Sequence, residues 1–140
     1  MIDAEAVIDA SVVVPLASRP DGMGPLIVRF GGVRLRAPRF LLVESASAFW
    51  KYARAGLYDA ATAEAHLKIV GGMPIVLHED QGLVAPALKL ALRLSHSIYD
   101  CLYLALAVEL DCVMLTADAR FARAVAAHSD LAARVRVLPA

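Results

Sequence analysis

Short apolar runs that alternate with helical stretches constrain the fold of this chain more than any other feature. Most of these runs are rich in Val, Ile and Leu, as is typical of strands that are buried on both faces, whereas the run over 33–37 alternates and is expected to have one polar face. Strands that alternate with helices predict right-handed crossovers, and hence a parallel sheet covered by helices on both faces. The predicted strands span residues 6–8, 33–37, 74–77, 113–116 and 135–138.

The helices are predicted from apolar residues at helical spacing and from the Gly and Pro residues that end them. The first helix, over 12–17, is expected to break at 18–22, and the second, over 23–30, closes at Gly31 and Gly32. A chain of 140 residues is expected to form one domain over 1–140. The remaining predicted helices span 40–55, 59–70, 81–94, 98–110 and 118–127.

The helix over 98–110 is apolar on almost every side, yet it carries one acid, Asp100, in its first turn. Ser97 is a suitable N-cap for this helix, and Asp100 stands three residues later. Because an unpaired carboxylate is costly to bury, Asp100 is expected to have a partner.

Four acids are predicted to meet at one edge of the sheet. Asp9 and Asp118 stand at or just past the ends of strands, whereas Glu44 and Asp100 lie near the starts of helices. These positions share the carboxyl edge of a parallel sheet, where ligands bind. Four like charges repel one another, and Mg²⁺ or Mn²⁺ would remove that repulsion by accepting carboxylate oxygens as ligands.

Each acid also has a purely structural interpretation. Asp9 and Asp118 could be N-caps, Ser97 with Asp100 could form a capping box, and Glu44 could interact with a helix dipole. The joint placement of all four at one edge favours a functional site.

Four segments carry a resemblance to a known family. They are Val-Ile-Asp-Ala-Ser at 7–11, Ala-Pro-Arg-Phe-Leu-Leu-Val-Glu at 37–44, Tyr-Asp-Cys-Leu-Tyr-Leu-Ala-Leu-Ala at 99–107 and Leu-Thr-Ala-Asp-Ala-Arg-Phe at 115–121. In this order and spacing the sequence resembles PIN domains, and more closely the VapC toxins of bacterial toxin–antitoxin pairs. The stretch over 18–36 departs from the family, because Gly and Pro interrupt its usual longer helical pair.

The resemblance implies a PIN-like three-layer α/β sandwich and a Mg²⁺- or Mn²⁺-dependent endoribonuclease. A cytoplasmic location is expected separately, because Cys101 and Cys112 lack the spacing of a zinc site and are interpreted as reduced core thiols. The resemblance also implies products with 5′-phosphate and 3′-hydroxyl ends, a homodimer and a cognate VapB-like antitoxin. By the same motifs, Ser11 and Thr116 match polar positions of the family whose side chains support the acids. The catalytic and metal-binding residues by the same comparison are Asp9, Glu44, Asp100 and Asp118.

The charge composition is compatible with an RNA substrate. The 14 basic and 14 acidic residues give no net charge, which argues against indiscriminate nucleic-acid binding. If four acids bind metal, ten remain against the 14 basic residues, and the rest of the surface is mildly basic. A solvated face explains the arginines between 19 and 39 equally well. The candidates for phosphate contacts are Arg19, Arg29, Arg34, Arg36 and Arg39.

Other signals are weaker. His96 falls near the acids, but a surface or cap role is favoured for it, and core packing is favoured for Tyr99 and Tyr103. Phe49 and Trp50 are expected in the core or a dimer interface. The chain has no uncharged apolar run of about 18 residues, so no membrane span is expected.

Two other functions remain open. One is a different Mg²⁺-dependent phosphoryl-transfer module, although Ser11 stands where an Asp-x-Asp phosphatase has its second acid. The other is a catalytically silent PIN-like binding domain, against which the complete set of four acids argues. Metal binding without RNA cleavage would favour the silent domain.

Overall fold

The computed structural model describes residues 4–19 and 23–138. Within these ranges the strands are short and the helices run from two to four turns. The strands are β1 (Glu5–Ile8), β2 (Arg34–Pro38), β3 (Ile75–His78), β4 (Val113–Thr116) and β5 (Val135–Val137). The helices are α1 (Ala10–Ala17), α2 (Met23–Phe30), α3 (Phe40–Arg54), α4 (Ala60–Gly72), α5 (Val84–Leu94), α6 (Ile98–Leu110) and α7 (Ala119–Ala126).

All five strands are parallel and lie in the order β3-β2-β1-β4-β5, which confirms the predicted fold class. From β1 the chain adds β2 and then β3 on one side, and it then adds β4 on the other side of β1. The strand order therefore reverses between β1 and β4. In open parallel sheets, a crevice forms at the carboxyl ends of the strands at such a reversal.

Helices cover both faces of the sheet. On one side, α1 packs against β4 and contacts α2, α3 and α4, whereas α6 packs on β1, β2 and β4 with α5 beside it. Every residue of α6 from Cys101 to Ala107 is buried, which explains why this helix is apolar on all sides. Full burial of one Leu side chain contributes about 1.5–3 kcal/mol, so α6 anchors the core.

The boundaries differ from the predicted ones by two or more residues in three helices. The first helix begins at Ala10 rather than residue 12, and α4 continues through Gly71 and Gly72, ending just before Pro74. Two glycines therefore cost α4 some stability without ending it, whereas Pro74 cannot extend the helix. The predicted helix over 81–94 begins with a 3₁₀ turn at Gln81–Leu83. Residues 20–22 of the predicted break lie outside the described residues.

Among residues 4–19 and 23–138, the helices are too short or too polar to cross a bilayer.

Candidate active site

A cleft of about 250 Å³ at the carboxyl edge of the sheet brings the four predicted acids together. Asp9 directly follows β1, and Asp118 lies two residues after the end of β4, at the reversal of strand order. Glu44 reaches the cleft from the second turn of α3, and Asp100 from the first turn of α6. Their role as metal ligands stays a prediction.

Asp9 is held by a hydrogen-bond network that joins β1 to β4. Ser11 Oγ donates to Asp9 Oδ1 at 2.5 Å, and Thr116 Oγ1 donates to Asp9 Oδ2 at 2.6 Å. A hydroxyl has only one proton, so both hydroxyl oxygens act as acceptors toward the backbone. Ser11 Oγ accepts from the Ala117 N–H at 2.8 Å, and Thr116 Oγ1 accepts from the Asp118 N–H at 3.1 Å. The network therefore fixes the orientation of the carboxylate.

Burial sets the charge state of Asp9. The residue is only 4% exposed, and this burial raises its pKa from 3.8 to about 6. The hydrogen bonds from Ser11 and Thr116 oppose the rise in pKa, while the charges of Glu44 and Asp100 add to it. Asp9 occupies the N-cap position of α1, but its side chain makes no capping bond. The N-cap interpretation therefore does not account for its carboxylate.

Glu44 is held by a tyrosine from the opposite helical layer. Tyr103 Oη donates to Glu44 Oε1 at 2.6 Å, although Tyr103 itself is fully buried in the core. Burial raises the pKa of Glu44, the Tyr103 hydrogen bond opposes this, and the Asp100 charge raises it further. Core packing was predicted for Tyr103, and the structure adds a direct contact with the acids.

Asp100 is paired with His96. The Asp100 Oδ2–His96 Nε2 distance is 2.9 Å, and the imidazole packs at a tilt on the Phe121 ring, 4.8 Å between centroids. Burial raises the pKa of Asp100, and the hydrogen bond to His96 opposes the rise. Ser97 caps α6 as predicted, accepting from the Tyr99 N–H at 3.2 Å. Beyond the surface or cap role favoured for His96, the structure gives it a direct pairing with Asp100, and its spacing of four residues from Asp100 was the available signal.

Asp118 combines a capping role with a place in the cleft. Its Oδ1 accepts from the Phe121 N–H at 3.0 Å, so the N-cap interpretation is correct for this residue. One ligand atom from each of His96, Asp100 and Asp118 lies within 4.8 Å of the others. Asp118 can therefore cap α7 through one oxygen and face the cleft with the other.

The donor set fits a hard divalent cation. Burial raises the pKa of Asp9, Glu44 and Asp100, and in each case a neighbouring carboxylate adds to the rise. A cation would offset both the burial and the repulsion, and carboxylate oxygens are the ligands that Mg²⁺ and Mn²⁺ prefer. Asp9, Glu44, Asp100 and Asp118 are the residues that could hold it.

A wider groove of about 520 Å³ adjoins the cleft and shares Glu44 with it. Tyr99 is 55% exposed and stacks on Phe40, with 5.2 Å between ring centroids and 11° between planes. The prediction that Tyr99 packs in the core was therefore wrong. Lys51 also lines this groove, and the sequence reasoning missed it because its position depends on how α3 is rotated.

Two of the candidate RNA-binding arginines form ion pairs. Arg39 lies at the carboxyl edge, with its Nε 2.6 Å from Glu79 Oε1 in an exposed pair. Arg36 pairs with Glu5 and lies 3.2 Å from His78. The carboxylates of both pairs already neutralise these arginines in part.

The remaining candidates lie on opposite sides of the molecule. Arg34 opens β2 and aligns with Glu5 at the start of β1, which places it at the edge away from the acids. Arg19 follows α1 and lines, with Arg29, a shallow groove that extends to Ser11. Contact of these arginines with RNA stays a prediction.

Phe49 and Trp50 have separate environments. Phe49 is buried, whereas Trp50 is 56% exposed with the Arg54 guanidinium 5.1 Å from its ring. The core prediction therefore holds for Phe49, and Trp50 remains available on the surface of α3.

Comparison with known proteins identifies the family. The model of the PIN domain family matches residues 6–127. The chain is 33% identical over 123 residues to Ribonuclease VapC3 of Mycobacterium tuberculosis, covering 86% of this chain and 87% of the relative. The crystal structure of PAE2754 from Pyrobaculum aerophilum superimposes with a TM-score of 0.69 at 28% identity, covering 86% of this chain and 79% of that one. The chain therefore belongs to the PIN domain family and is of the VapC type.

Proposed function

We propose that this protein is a metal-dependent endoribonuclease and the toxin of a toxin–antitoxin pair. The observation that carries the proposal is the convergence of Asp9, Glu44, Asp100 and Asp118 in one open cleft at the strand-order reversal. The similarity to a protein named Ribonuclease VapC3 supports it. A toxin that degrades RNA would act in the cytoplasm, where its substrate is.

The bound ion, Mg²⁺ or Mn²⁺, would lower the pKa of a water molecule and withdraw charge from the scissile phosphate. Neighbouring side chains of the protein would hold the metal-binding carboxylates in position before an ion binds. Ser11 and Thr116 orient both oxygens of Asp9, and Tyr103 orients Glu44. These hydrogen bonds reduce the reorganisation that ion binding would otherwise require.

The groove beside the cleft supplies a path for the RNA strand. Lys51 lines it close enough to Glu44 to lower the pKa of that acid, so its charge reaches the site. On the other side of the cleft, Arg19 lines the groove that leads to Ser11. A basic side chain on each side of the acids suits a phosphate backbone that crosses the cleft. We expect Arg34, at the far edge, to contribute least.

Two apolar surfaces suit the proposed protein partners. One face of α5 exposes an apolar side chain every four residues: Val84 (48%), Leu88 (49%) and Leu92 (74%). Such a face suits a self-complementary contact in a homodimer. Between α3 and α4, a groove of about 240 Å³ lined by Trp50 and Leu67 suits apolar side chains of a VapB-like antitoxin.

The central experiment is RNA cleavage by protein purified free of antitoxin. We expect cleavage with Mg²⁺ or Mn²⁺ and none in excess EDTA. Asp118→Asn, prepared in parallel, is the control for contaminating ribonucleases and should show no cleavage. Cleavage by the wild type in excess EDTA, with none by Asp118→Asn, would contradict the proposed metal dependence. Ion binding without cleavage would favour the silent binding domain.

The proposed dimer is tested by light scattering at micromolar concentration. Wild-type protein should have the mass of two chains, and Leu88→Glu with Leu92→Glu should have the mass of one. A monomeric wild-type protein would contradict the dimer but not the nuclease.

A further inference from the structure

His96 places a nitrogen donor beside Asp100, one of the four carboxylates of the cleft. Its Nε2 is 2.9 Å from Asp100 Oδ2, and ligand atoms of His96, Asp100 and Asp118 all lie within 4.8 Å of one another. Metal–ligand bonds of about 2.0–2.2 Å place neighbouring ligand atoms of one ion roughly 3 Å apart. The three side chains are therefore spaced so that one ion could contact all of them after a small adjustment.

The backbone and the core hold the imidazole in this position. His96 lies in the short link between α5 and α6, where Ser95 adopts a left-handed conformation with φ of 51°. The His96 N–H donates to the Ala91 carbonyl at 3.1 Å, which closes the end of α5. The ring packs on buried Phe121, and the His96 side chain is only 18% exposed. Its nitrogen therefore faces the acids without a large loss of side-chain entropy on binding.

We propose that His96 is a nitrogen ligand on the Asp100–Asp118 side of the cleft, and that it makes the site prefer ions that bind imidazole nitrogen, such as Zn²⁺, to Mg²⁺. Imidazole nitrogen suits Zn²⁺ and Ni²⁺, whereas carboxylates alone suit Mg²⁺ and Mn²⁺. An ion that binds His96 gains a donor that Mg²⁺ uses poorly. This inference rests on the proposed function, since it takes the four acids as a site for divalent ions.

The geometry also allows a simpler role, in which His96 only donates a hydrogen bond to Asp100. The variant His96→Gln separates the two roles, because its side-chain amide can still donate to Asp100 but offers no imidazole lone pair. His96→Ala removes both interactions. His128→Gln is the matched control, since His128 lies past the end of α7 opposite the end that Asp118 caps.

The experiment is calorimetric titration of the apoprotein with Zn²⁺ and, separately, with Mg²⁺, at one fixed pH and without RNA. We expect His96→Gln and His96→Ala to weaken Zn²⁺ binding by at least about tenfold and Mg²⁺ binding by less than about twofold. His128→Gln should bind both ions like the wild type. Thermal melting of the metal-free variants checks that they are folded.

A second measurement needs no variant. In wild-type protein labelled with ¹⁵N at histidine, Zn²⁺ should shift the ring-nitrogen signals of His96, and Mg²⁺ should leave them nearly unchanged. Unshifted His96 nitrogens at saturating Zn²⁺ would overturn the proposal. So would a His96→Gln protein with wild-type affinity for Zn²⁺, or equal losses for both ions.

These outcomes are distinct from a failure of the proposed function. Loss of Zn²⁺ preference in His96→Gln without any RNA cleavage by the wild type would keep His96 as a ligand and reject the nuclease. Cleavage with an unchanged ion preference would do the opposite.

Discussion

The two sides of the acidic cleft differ in how their carboxylates are held. On the inner side, Asp9 is 4% exposed and both of its oxygens accept hydroxyl protons from Ser11 and Thr116. On the outer side, the Asp100 side chain is 27% exposed, and within residues 4–19 and 23–138 its only side-chain partner is the partly exposed His96. The inner side is thus organised by the protein, whereas the outer side is left open to ligands.

This difference shows that the carboxylates of one acidic site can be held in two different ways. A buried carboxylate with fixed partners is ready in position but has a raised pKa, because burial disfavours its charge. A more exposed carboxylate keeps its charge at lower cost, and the proposed ion would set its final orientation. Substitutions on the two sides should therefore differ in their effects on activity, stability and pH dependence.

The largest effect is expected from Asp100→Asn on the outer side. If Asp100 binds the proposed ion, its loss should reduce RNA cleavage by more than about a hundredfold, beyond the 10–100-fold typical of an outer hydrogen-bond partner. Without metal, the protein should melt at the wild-type temperature or higher, because one of four repelling charges is gone. Cleavage assays and melting curves in EDTA test both parts. A variant that melts lower and still cleaves RNA would contradict the assignment.

The next largest effect is expected on the pH dependence of stability, through Asp9 on the inner side of the cleft. The pKa of Asp9 is raised from 3.8 to about 6 in the folded protein, so between these values the native state retains a proton that the unfolded state has lost. The free energy of unfolding of the metal-free protein should therefore fall as the pH rises from about 4 to about 6, by up to about 3 kcal/mol from this residue.

Denaturant unfolding at several pH values in EDTA measures this slope. Asp9→Asn should flatten it, whereas Asp100→Asn should flatten it less, because Asp100 is more exposed. Equal slopes in wild type and Asp9→Asn would show that burial does not control the charge of Asp9.

A smaller loss is expected from Thr116→Val. This change removes the donor to Asp9 Oδ2 and should reduce cleavage by about 10–100-fold while the protein stays folded. Thr116→Ser is the matched control, since it keeps the hydroxyl and should retain most of the activity. Wild-type cleavage by Thr116→Val would show that Thr116 is only a structural residue of β4.

The smallest effect is expected from Tyr103→Phe, which removes one hydrogen bond to Glu44 and leaves the buried ring in place. Because that bond lowers the pKa of Glu44, its loss should raise the pKa further. Cleavage should fall by less than about tenfold, below the usual range for an outer partner. Carboxyl NMR titration of Glu44 gives the pKa directly, and an unchanged value would show that the bond is weak in solution.

The sequence predicted the parallel sheet and the shared edge of the four acids, because strand ends and helix starts are local features. It placed His96 near the acids but did not predict its pairing with Asp100. That pairing depends on the left-handed Ser95, and nothing about a serine indicates positive φ. The sequence also failed for Tyr99 and Lys51, whose exposure depends on how α6 and α3 sit relative to the sheet. Positions that depend on the direction of the strands and helices were predictable from the sequence. Exposures that depend on how a helix is rotated about its axis were not.

The double role of Asp118 has a consequence for how such a protein can lose its activity through mutation. Replacing Asp118 with a residue that cannot cap removes the N-cap of α7 together with a carboxylate of the cleft, and loss of an N-cap costs about 0.5–2 kcal/mol. Replacing Asp100 removes no cap. Spontaneous inactive variants recovered from a growing population should therefore carry changes at Asp100 in well-folded protein, whereas changes at Asp118 should appear with reduced protein levels.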